Sequence, residues 1–96
     1  MRLRWTRPAL SDLIEAQQYI ARENPTAAQE VAQRVWDAAA QFLTHPELGR
    51  PGHVGDTREW AVTKTPYLIV YRQNGEFIEI LRIWHTKRNW KGAPAS

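Results

Sequence analysis

Residues 76–90, Glu-Phe-Ile-Glu-Ile-Leu-Arg-Ile-Trp-His-Thr-Lys-Arg-Asn-Trp, constrain the fold more than any other stretch of this chain. The opening of that stretch is rich in isoleucine and aromatic side chains, which suit a pleated, packed surface, so it reads as a strand. Strict alternation puts Phe77, Glu79, Leu81, Ile83 and His85 on one face and Ile78, Ile80, Arg82, Trp84 and Thr86 on the other. Both faces are mostly apolar, as in a strand covered on both sides, so this strand is expected inside a sheet. Its polar residues gather at the end: Arg82, His85, Lys87 and Arg88. A rigid strand that ends in a titratable imidazole among cations can carry function, although an isolated histidine often only hydrogen-bonds a nearby loop.

Composition narrows what this strand can belong to. A chain of 96 residues is expected to form one domain. It has no cysteine, which excludes a disulfide framework and thiolate chemistry and fits a reducing compartment. No stretch approaches the roughly 20 apolar residues of a membrane span. The charged N-terminus, Met1 to Pro8, has no apolar run behind it and does not read as a signal peptide. The expected location is the cytoplasm, with no membrane partner. The net charge is +3, from 13 basic and 10 acidic residues, which favours an acidic partner such as nucleic acid or an acidic protein. The bias lies in the second half, where Arg58, Lys64, Arg72, Arg82, Lys87, Arg88 and Lys91 face Asp56, Glu59, Glu76 and Glu79.

Read in order, Arg2 to Thr6 is a short strand, Thr6 can cap the next element and Pro8 suits a helix's first turn. Ala9, Leu10, Leu13, Ile14, Ala16 and Ile20 then repeat at helical spacing to about Arg22. Asn24-Pro25 stops that helix and starts another, which runs to about Leu43 with an alanine-rich stripe through Ala28, Val31, Val35, Ala38 and Phe42. Two helices joined this tightly form an antiparallel hairpin. Glu47 to Asp56 holds three glycines and two prolines and reads as a loop, with His45 and His53 beside or in it. Its Gly49-x-x-Gly52 spacing lacks the lysine and serine of a phosphate loop, and no zinc pattern occurs, so neither metal nor cofactor is expected. Thr57–Thr63 and Tyr67–Arg72 read as strands, and Asn74-Gly75 is a hairpin signal leading into the 77–85 strand. The result is a two-layer α+β domain of order β-α-α-β-β-β over residues 1–90. A helical hairpin packs on a four-stranded, mostly antiparallel sheet, and residues 91–96 form a frayed tail.

This order resembles the RelE/ParE superfamily of toxins from bacterial type II toxin–antitoxin pairs. The resemblance covers nearly the whole chain and is carried by Gly49 to Glu59, Pro66 to Arg72, and Glu79 to Trp90. It implies a toxin that arrests growth, serves in plasmid stabilisation, needs no cofactor, and is held by an acidic, partly disordered antitoxin. RelE-like members cut mRNA on the ribosome, whereas ParE-like members inhibit DNA gyrase. The RelE-like pattern puts an arginine where this chain has Leu68, and lysines where it has Glu59 and Ala61. The missing clamp tilts the reading slightly toward gyrase inhibition, with mRNA endoribonuclease as the alternative. In the ribonuclease case the resemblance implies His85 as general acid or base. Arg58, Arg72, Arg82, Lys87 and Arg88 would bind phosphate or the target in either case. A third reading is a small basic RNA-binding module, in which Trp60, Tyr67, Tyr71 and Trp84 stack bases, although such aromatics more often fill a small core.

Overall fold

Thr6 decides where the first helix begins. In this computed structural model, which describes residues 1–87, its Oγ1 accepts from Ala9 N at 3.3 Å and donates to Ile80 O at 2.9 Å. One hydroxyl therefore caps α1 (Arg7–Ala21) and fastens its start to the strand at the sheet's interior. Asn24 caps α2 (Pro25–Gln41) in the same way, its Oδ1 accepting from Ala27 N at 3.0 Å. Each helix has proline in its first turn, as expected from the sequence. α1 buries Ala9, Leu13 and Ala16, and α2 buries Ala28, Ala32, Val35, Ala38 and Ala39. These small side chains let the hairpin lie close on the sheet, where Ile69, Tyr71, Ile78, Ile80 and Ile83 complete the core with Phe42.

The strands are β1 (Arg2–Trp5), β2 (Arg50–Pro51), β3 (Arg58–Ala61), β4 (Tyr67–Asn74) and β5 (Phe77–His85), in the order β1-β5-β4-β3-β2. β5 is interior as expected, with β1 parallel on one side and β4 antiparallel on the other. The expected four-stranded sheet is corrected to a mixed sheet of five. The added strand comes from the glycine- and proline-rich loop, where Arg50 pairs with Glu59 and Pro51 with Arg58. Proline is tolerated on an edge strand, which uses few of its N–H groups. Gly49 makes the approach possible, because a Cβ there would come within 2.8 Å of Glu59 O and of the Tyr71 ring.

A β-bulge corrects the face assignment. Val70 opposes Arg82 while Tyr71 opposes Ile80, so Leu81 is left without a partner. Beyond it the alternation changes phase. Ile78, Ile80, Ile83 and His85 share the helix-facing side, while Phe77, Glu79, Leu81, Arg82 and Trp84 lie on the other. The hairpin turn also shifts by one residue: Asn74 pairs with Phe77, and Gly75, with φ +61°, takes the first central position. Arg88 and the expected 91–96 tail lie outside the described residues.

Candidate functional site

The sheet face turned away from the helices carries most of the expected site, and there arginines meet carboxylates. Arg72 stands directly across from Glu79 and donates through Nε to Oε1 at 2.8 Å. Arg4 reaches the same carboxylate from β1, and Asn74 Nδ2 lies 3.4 Å from Oε1. Bonds from Arg72 and then Arg4 outweigh the opposing effect of burial and hold the Glu79 carboxyl down to about 2. Because its folded pKa is depressed, the stabilisation is present above its ordinary value of about 4.5 and is lost as pH falls through about 2. In melts taken across that acid range, Glu79→Gln should therefore lose less melting temperature than the unmodified protein. Parallel losses would show that this carboxylate does not govern the acid limb.

Arg82 shares the same face through the bulge but turns to helix α1. Its Nε and a terminal nitrogen donate to the two oxygens of Asp12 at 2.8 and 3.0 Å. Asp12 also accepts from Ile83 N at 2.9 Å. Arg58 pairs with Tyr71 on the helix side of the sheet, and its guanidinium donates to Gly49 O at 2.8 Å. The structure thus places Arg72 and Arg82 on one face and Arg58 on the other, each with an intramolecular partner. His85 lies at the end of β5 with its ring edge-on to Tyr67 at 5.3 Å, and its Nδ1 accepts from Lys87 N at 3.1 Å. Lys87 is exposed in the turn that follows.

One cluster was not anticipated. Glu59, on β3, is only 4% exposed, and it binds His53 Nδ1 at 3.0 Å and Arg50 at 3.4 Å. Burial pushes the Glu59 carboxyl up, but the bonds from His53 and Arg50 prevail and leave it below the ordinary carboxylate range. Sequence reading set His53 aside as a loop residue. Its link to Glu59 depends on β2 joining the sheet, which alternation alone does not reveal. The available signal was a glutamate between Arg58 and Trp60 in a short strand.

The architecture places the chain in a class before any close relative is considered. A chain of the chromosomal ParDE TA system from P. aeruginosa has the same fold, with a TM-score of 0.80 at 28% identity over 91% of this chain and 97% of that one. The sequence then narrows the class: the family model described as ParE toxin of type II toxin-antitoxin system, parDE, matches residues 3–90, and the chain belongs to that family. It is 38% identical over 89 residues to the putative toxin Y4kP of Sinorhizobium fredii, covering 93% of this chain and 92% of the relative. It is also 38% identical over 84 residues to toxin RelE2 of Caulobacter vibrioides, covering 88% and 93%. Among the described residues no helix is long and apolar enough to cross a membrane.

Proposed function

We propose that this toxin acts in the cytoplasm by binding DNA gyrase, and that a small acidic antitoxin, partly disordered when free, keeps it inactive. The observation that carries the target reading is the pairing of Arg72 with Glu79 and of Arg82 with Asp12. Phosphoryl transfer needs cations that meet the developing charge on phosphate. Here Arg72 and Arg82, two of the candidate cations, already meet carboxylates, and Leu68 occupies the position of the missing clamp. Blocking a protein target requires surface complementarity and no proton transfer.

Induction in cells, with RNA and DNA followed separately, tests this reading. The expected result is filamentation with a DNA-damage response while mRNA stays intact. Rapid loss of translation with codon-phased mRNA cuts would instead establish the ribonuclease reading. Under the gyrase reading His85→Ala should keep toxicity nearly unchanged, because no general acid or base is used. A ribonuclease would lose about 10²–10⁴ in rate from the same change. Lys87→Glu is the informative charge reversal, since Lys87 is exposed, whereas changing Arg82 would also break its contact with Asp12.

A further inference from the structure

Among the described residues, Lys64 is the only one other than glycine with a positive φ, +62°; the other two positive values fall on Gly55 and Gly75. An L side chain is strained in that region, and glycine is the residue that fills it without cost. The turn between β3 and β4 pins Lys64 there. Val62 N donates to Tyr67 O at 2.9 Å, and Thr65 N donates to Val62 O at 3.2 Å. The Thr65 hydroxyl donates to Val62 O at 3.0 Å and accepts from Tyr67 N at 3.1 Å. Strain that the surroundings enforce so fully, at a lysine where glycine would fit, points to use of the side chain. A second lysine stands beside it. Thr86 N donates to Pro66 O at 2.8 Å, so Lys87 follows directly on a residue tied to the same turn. Both lysines are exposed, and neither meets a carboxylate among the described residues.

We propose that Lys64 and Lys87 together form the contact for an acidic patch on gyrase. This surface rests on the gyrase reading and adds to it Lys64, a residue that sequence reading left in a turn. Charge complementarity carries the choice of partner. From Trp60 to Gly75, and again from Ile80 to Ser96, the chain holds no aspartate or glutamate, so the two neighbouring turns present cations without a carboxylate of their own. The carboxylate of Asp37 lines a cleft with Thr63, but Arg34 shares that wall and Asp37 accepts from Gln33 Nε2 at 2.8 Å. The arginines of the open sheet face differ, since Arg72 and Arg82 already hold carboxylates of this chain. Single-stranded nucleic acid is held by a cationic groove with aromatic faces for its bases. Here the exposed side chains are two ammonium groups with Thr63 and Thr86 beside them, which suits a folded acidic surface better.

The test is a supercoiling assay with purified bacterial gyrase and the full chain, at low and high salt, alongside thermal melts of each variant. The expected result is inhibition that needs more protein as salt rises. Lys64→Glu should raise the half-inhibitory concentration about tenfold, and Lys64→Arg should leave it unchanged. Lys64→Gly relieves the backbone and should melt no lower than the unmodified protein, yet raise that concentration about threefold, the usual worth of one exposed charge pair. A purely structural lysine would not separate stability from inhibition in this way. If the unmodified chain inhibits gyrase and Lys64→Glu and Lys64→Gly inhibit equally well, this surface falls while the target reading stands. If the unmodified chain leaves gyrase active, both fall. A Lys64→Gly protein that melts well below the unmodified one would show that the lysine serves the fold, and the contact is then rejected. Anisotropy with a labelled DNA duplex closes the remaining route: binding without gyrase that is lost in Lys64→Glu would assign the corner to nucleic acid and overturn the acidic protein patch.

Discussion

Replacing Phe42 with alanine should remove about 3–5 kcal/mol of stability, the usual cost of emptying a fully buried aromatic site. Phe42 ends α2 with no exposed surface, and its ring stacks on Tyr71 at 3.8 Å between centroids with planes 10° apart. The loss would be a large share of the roughly 5–15 kcal/mol that holds a domain of this size. The effect should also spread beyond the cavity. The Tyr71 hydroxyl donates to Pro46 O at 2.9 Å and accepts from Gly49 N at 2.7 Å, so the Phe42–Tyr71 stack anchors the segment that leads to Arg50 and His53. Urea denaturation gives the magnitude, and amide exchange at Gly49 shows whether the anchor loosens with it. A loss below about 1 kcal/mol would mean the site collapses and refills, contrary to the packing described.

Asp12→Ala is expected to destabilise the protein by about 2–3 kcal/mol, with the ion-pair share discounted because Arg82 is 40% exposed. Three hydrogen bonds converge on this carboxylate: two from Arg82 and one from Ile83 N. The last explains why a carboxylate stands there. β1 stops at Trp5 opposite Ile80, so the edge of β5 beyond that point has no strand to accept its N–H groups. Asp12 supplies the acceptor from α1 and ties helix to sheet. Asp12→Asn keeps an oxygen for Ile83 and should lose about half as much. Chemical denaturation of both variants in low and in high salt separates the neutral bond from the charged ones. If Asn proves as harmful as Ala, the charge, and not the acceptor at Ile83, holds this junction.

The sequence by itself determined what local chemistry can specify. Thr6-x-Pro8 and Asn24-Pro25 set both helix starts, because a side-chain oxygen and a fixed φ act within one turn. The apolar run of β5 marked it as interior to the sheet, because a strand with neighbours on both edges keeps even its uncovered face, with Phe77, Leu81 and Trp84, half-buried. The resemblance carried by three separated segments reached the right family. Tertiary structure decided what depends on partners distant in the chain. The bulge at Leu81 reversed the faces of Ile83 and His85, since register is set by two strands together and one strand's alternation does not contain it. Arg50–Pro51 became an edge strand because Gly49 permits close approach to Glu59 and Tyr71, contacts invisible in a segment whose composition resembles a loop. The same nonlocality governs charge. Arg72 and Arg82 look like free cations in sequence, and only folding brings Glu79 and Asp12 to meet them, while it leaves Arg50 outward beside a buried glutamate.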